Sequence, residues 1–173
     1  MKNWKSTLRV PAILMMAVLT VTVAGADDAP TVAEQITGMQ AMCADTEQAR
    51  AQRQADEALY FRLGGHDKIN EFTTEVVRLH NQNPTIMPML LHVNSEELAS
   101  QVADFIEAGT GGPQIYTGRT LPASHDDLNL TDADFLSAGG DIVTAMKTMG
   151  YGENEITDFV CILVSLKDQV VFE

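Results

Sequence analysis

Four histidines, His66, His80, His92 and His125, are the side chains of this sequence best able to bind a metal through nitrogen. None has a second histidine at i+4 or a CxxC pair nearby, so the spacing does not suit a zinc cluster. His125 stands apart in its setting. It lies in Leu121-Pro122-Ala123-Ser124-His125-Asp126-Asp127-Leu128, a short segment between two apolar-periodic stretches, with Tyr116 and Arg119 upstream. A single histidine beside an apolar cavity is what a haem iron needs on its proximal side. A histidine in a surface loop is the plainer reading of the same residues. His80 and His92 read as solvated, and Met87 to Met89 as core filling rather than a ligand box. The two cysteines, Cys43 and Cys161, lack haem-attachment or zinc spacing. Either they pair, tying an N-terminal extension to the last helix, or Cys161 is a buried free thiol and Cys43 stands alone.

The elements that must position these groups can be read from pattern and composition. The 173 residues are 45% hydrophobic, enough for one compact domain. With 24 acidic against 11 basic residues and a net charge of -13, a phosphate-neutralising nucleic-acid surface is excluded. Lys2, Lys5 and Arg9 precede an uncharged run from Ala12 to Ala24, and Ala24-Gly25-Ala26 offers small residues before Asp27. That pattern predicts a secretory signal over 1–26, cleaved after Ala26; the run is too short to span a bilayer. Export to a periplasmic or secreted location follows, with no stable membrane insertion after cleavage. Residues 27–57 read as a weakly amphipathic helical extension or linker, and 58–173 as the core domain.

Within that domain Ile69, Phe72, Val76 and Leu79 recur at intervals of three and four up to Asn83-Pro84. Asn94 with Glu97 opens a second helix carrying Leu98, Val102, Phe105 and Ile106, stopped by Gly109 to Pro113. A loop is expected over Gln114–Leu130. Thr131 with Asp134 then opens a third helix with Phe135, Ala138, Ile142, Met146 and Met149 inward. A last helix starts near Asn154 and places Ile156, Phe159, Val160, Leu163, Leu166 and Val170 on one side. No stretch alternates with period two, so the fold class is all-α.

From Leu63 to Val170 the chain resembles a truncated haemoglobin of the first group. The resemblance rests on Leu63-Gly64-Gly65, Phe105 followed by Gly111-Gly112-Pro113, Tyr116-Thr117-Gly118-Arg119, His125, Leu128, Thr131 and Phe135, in the family's order. It implies a globin-like two-over-two helical sandwich enclosing one haem b. It further implies His125 as proximal iron ligand, Arg119 as partner of a haem propionate, and Tyr116 as either a haem-side or a packing residue. The distal polar residues usual in the family are replaced by Val77 and Val102, and the haem-stacking phenylalanine by Leu90, with Met89 beside it. The implied pocket of Val77, Leu90, Leu98, Val102 and Ile106 is therefore apolar. The expected function is binding of diatomic gases (oxygen, nitric oxide, carbon monoxide) at haem iron, with a redox role and an electron donor as further expectations. The other reading is a haem-free globin-fold interaction module. His80 or His92 swinging in as an internal sixth ligand is a third element of the expectation, set against both being solvated.

Overall fold

The computed structural model describes residues 29–172; the expected signal over 1–26 and its expected cleavage point lie outside the described residues. The described chain is helical, as the absence of period-two alternation predicts. Two helices precede the main body: α1 (Val32–Asp45) and α2 (Glu47–Asp56). Thr31 begins α1 with a full capping box, its hydroxyl accepting from the Glu34 amide while the Glu34 carboxylate accepts from the Thr31 amide. The extension is thus helix rather than linker.

A single turn, α3 (Leu59–Arg62), leads into α4 (Gly65–His80). Gly64 sits between them at φ +92°, a left-handed conformation that side chains resist; a Cβ there would also meet Lys68 Cγ at 2.7 Å. Asn94 caps α6 (Ser95–Thr110), its side-chain oxygen accepting from the Glu96 and Glu97 amides. The Glu97 carboxylate accepts from Gln101 Nε2 and no capping box forms with Asn94. The short α5 (Met87–Leu90) connects α4 to α6. At α8 (Asp132–Thr148) the expected box of Thr131 and Asp134 is present, and α9 (Glu153–Leu166) closes the body.

The loop expected over Gln114–Leu130 is not all loop. It holds α7 (Leu121–His125) and a 3₁₀ turn, Asp126–Leu128. Thr120 accepts from the Ala123 amide and Pro122 occupies the first turn, where its missing N–H costs nothing. Five residues are too few to show a helical apolar period, which is why patterning passed over them.

Helix α4 packs on α6 and on α8, and α8 packs on α9, giving two helix pairs stacked as a two-over-two sandwich. Phe72 of α4 is fully buried at the centre, edge-on to Phe159 at 5.5 Å and to Tyr151 at 6.0 Å. Around it lie Leu59, Leu63, Ile69, Val76, Ala103, Ile106, Ala145, Met146 and Ile156. Tyr151 meets the cost of burying its hydroxyl by donating to the Leu63 carbonyl at 2.8 Å.

Candidate functional site

The closed core occupies one end of the sandwich, where the end of α6, the end of α8 and the start of α9 meet. Toward the other end the same helices carry apolar side chains that protein covers only in part. Helix α6 presents two adjacent stripes. Ala99, Ala103, Ile106 and Thr110 are buried, whereas Leu98, Val102 and Phe105, at i, i+4 and i+7, are each only half-buried. Phe135, Leu136, Ala138 and Ile142 of α8 and Ile162, Leu163 and Leu166 of α9 are half-buried likewise. An apolar ligand laid against such faces gains about 25 cal/mol per Å² of apolar surface taken from water.

Helix α7 brings His125 to this end: its neighbour is the 3₁₀ turn Lys167–Gln169 that follows α9. His125 ends α7, half-buried, with Nδ1 2.8 Å from the Leu121 carbonyl oxygen. A carbonyl only accepts, so Nδ1 carries the hydrogen and donates. The neutral ring then keeps its lone pair on Nε2, the atom that binds metals in this tautomer. Orientation and tautomer are both set by one backbone contact, which the turn of α7 supplies through the i, i+4 relation.

The loop before α7 is held by Tyr116. Its ring stands edge-on to Phe105 at 5.2 Å and its hydroxyl donates to the Arg119 carbonyl at 2.8 Å. Of its two expected roles, packing is the one these contacts describe. Gly118 is required by the same arrangement, because a Cβ there would overlap the Tyr116 ring. The Arg119 side chain is exposed and enters no ion pair among the described residues, so its guanidinium is available to an anionic group.

Val77 on α4 is buried and Leu90 at the end of α5 half-buried. Ile106, expected in the pocket, is buried in the closed core with Leu63 and Phe72, and Val102 packs against that core from beside it. The stripe that carries it lies one residue round from Leu98, Val102 and Phe105, a distinction that amphipathic patterning does not resolve.

His80 is not free to swing. Its Nδ1 lies 2.8 Å from Asp141 Oδ2, which also accepts from Asn83 Nδ2 at 2.8 Å, and Asn83 donates to Ser137 Oγ at 2.9 Å. The cluster ties the last turn of α4 to α8, and an internal ligand from His80 would have to break it. His92 is exposed in the turn between α5 and α6. His66 caps a buried acid: its Nδ1 is 2.7 Å from Glu107 Oε1, on a side chain 2% exposed.

Asp158, in the middle of the inward face of α9, is the other acid that patterning missed; a carboxylate among Ile156, Phe159 and Cys161 should itself have demanded a cation. Arg53 of α2 and Arg62 of α3 both donate to it, Arg62 at 2.5 Å, and Arg62 also reaches Glu155 at 2.9 Å. Burial would push the Asp158 carboxyl up, but the hydrogen bonds from Arg53 and Arg62 outweigh it and hold the carboxyl below its usual range. Cys43 and Cys161 form a disulfide, which removes the free-thiol alternative.

Residues 58–172 match the family described as bacterial-like globin. Among curated proteins the chain is similar to the group 1 truncated haemoglobin of Mycolicibacterium paratuberculosis, 20% identical over 122 residues, covering 70% of this chain and 90% of that one. Among solved structures it superposes on the truncated haemoglobin of Tetrahymena pyriformis at TM-score 0.62 and 15% identity, covering 68% of this chain and all of that one. The 2/2 haemoglobin of Synechococcus, solved with covalently attached haem, gives TM-score 0.62 at 21% identity, covering 66% of this chain and 98% of that one. The family match falls on the body from α3 to α9, and the chain belongs to the bacterial-like globin family, with a truncated two-over-two fold.

Proposed function

We propose that this chain is a haem-binding globin that takes an uncharged diatomic gas on an apolar distal side. The observation that carries the reading is His125: Nδ1–H is spent on the Leu121 carbonyl, leaving the Nε2 lone pair at the half-covered apolar end of the sandwich. The donor set fits haem b. His125 Nε2 would hold the iron, Leu98, Val102, Phe105, Phe135 and Ile142 would supply apolar walls, and Arg119 would supply a cation for a propionate. Haem, when bound, contributes an iron atom with one coordination position left for a small ligand. The protein's own part is to fix the His125 ring, exclude water with apolar side chains, and offer no hydrogen-bond donor from Val77 or Val102. Oxygen depends on such a donor more than carbon monoxide or nitric oxide does, so the apolar side favours the latter two.

Export to a periplasmic or secreted location belongs to the same proposal. It is supported by the charge, apolar run and small-residue order of residues 1–26 and by the Cys43–Cys161 bridge, which suits an oxidising compartment. No helix among the described residues is long and apolar enough to cross a membrane. A redox role fed by an electron donor is an extension of this reading; the acidic surface would favour a basic one. Titrating haemin into the purified apoprotein tests the core of the proposal. A Soret band saturating at one equivalent supports it, and no binding would leave the globin-fold interaction module in its place.

A further inference from the structure

The family match begins at residue 58, so α1 and α2 lie ahead of the matched body. We propose that residues 29–57 are a redox-latched arm, held on α8 and α9 while Cys43–Cys161 is oxidised and released through α1 and the first turns of α2 when a dithiol reduces the bridge.

The argument starts from how little else holds α1. It lies against α8 and α9 but buries only Ile36 and Cys43, with Met39 and Met42 half-buried on the same side. One of its two buried side chains is therefore half of the disulfide. Helix α2 buries nothing. Fourteen residues are marginal as an independent helix in water, and one isoleucine with two partly covered methionines is a small return for ordering them. The covalent link converts that weak docking into an intramolecular one.

The far end of the arm is anchored differently. Arg53 pairs with Asp158, and the Gln54 side chain accepts from the Leu59 amide at 2.9 Å. Arg50 spans the elbow between the helices, donating to the Cys43 carbonyl at 2.7 Å and to Thr46 Oγ1 at 3.2 Å. The lever that moves is thus α1 with the start of α2, and its pivot lies at Arg53 and Gln54.

The chemistry balances as a thiol–disulfide exchange. A thiolate of the dithiol attacks one sulfur, forms a mixed disulfide and expels the other cysteine, which takes up a proton. The second thiol of the reagent then displaces the first cysteine and leaves as its own disulfide, so two electrons and two protons pass to the protein. Both cysteines are buried, so attack follows outward fraying of the last turn of α1.

Hydrogen exchange on the full chain, with and without dithiothreitol and with free thiols counted, tests the arm. On reduction, amides of Val32–Asp45 should exchange at least about tenfold faster while those of α4 and α6 change less than about twofold. The Cys43→Ser variant should show the same pattern without reductant. Protection of α1 that persists once two thiols titrate, or that persists in Cys43→Ser, would overturn the latch. So would a loss of protection spread equally over α4 and α6, which would make the bridge a staple of the whole body.

Discussion

Replacing His66 by alanine tests whether the first turn of α4 is tied to the last turns of α6 through a buried acid. The Glu107 carboxylate is almost wholly buried, and the partner of its Oε1 is the His66 ring at 2.7 Å. A hydrogen bond to a charged group contributes about 1.5 to 3 kcal/mol net. Stripping a partner from a fully buried pair costs more, about 3 to 5 kcal/mol. That upper range does not apply here, because the ring itself is 63% exposed and water can enter where it stood. The expected cost is therefore about 1.5 to 2 kcal/mol. Urea unfolding followed by circular dichroism reads it directly: with a slope of about 1 to 3 kcal/mol per molar, the midpoint should fall by roughly 1 M. Glu107→Gln keeps a neutral hydrogen bond and should cost less than His66→Ala. A His66→Ala midpoint indistinguishable from the parent would refute the lock.

Three further outcomes follow from the same geometry. Because Arg53 and Arg62 hold the Asp158 carboxyl below its ordinary value of 3.8, the pairing is fully present above that value and is lost as pH falls below it. Asp158→Asn should lose about 3 kcal/mol at neutral pH and show a flatter acid limb in thermal melts from pH 7 to 2. Val102→Gln would place a donor on the half-buried stripe of α6, and at about 1 to 3 kcal/mol for such a bond should slow oxygen release from the haem-loaded protein roughly tenfold to hundredfold. Stopped-flow oxygen dissociation measures it, with carbon monoxide release as the comparison expected to move less. Phe72→Ala removes the ring at the centre of the core and should cost about 3 to 5 kcal/mol in denaturant unfolding.

How much of this was legible in the sequence depends on length and on pairing. Helices α4, α6, α8 and α9 are long enough for a 3.6-residue period to show, and the caps Asn94 and Thr131 sit where their side chains predict. Helix α7 is five residues long, too short for a period to distinguish from loop, although Thr120 and Pro122 are start signals for it. His125 was singled out from its surroundings and from the resemblance; the contact that orients it, to Leu121, needs the helix that the periodicity did not reveal. The pairs His66–Glu107 and His80–Asp141 join residues 41 and 61 apart, and Asp158 joins arginines from two other helices. No local pattern encodes such partners, though Asp158 on an apolar helix face announces that one must exist. The Cys43–Cys161 link was one of two open readings for the same reason, since pairing across 118 residues is decided by the fold.

Haem occupancy after reconstitution, compared between the parent, His125→Ala and His92→Ala, is the measurement closest to the central claim. With His125 Nε2 as the axial ligand, the parent and His92→Ala should retain haem through gel filtration, with a Soret band and a ferrous carbonyl spectrum, while His125→Ala retains little. Equal occupancy in His125→Ala and the parent would contradict the assignment.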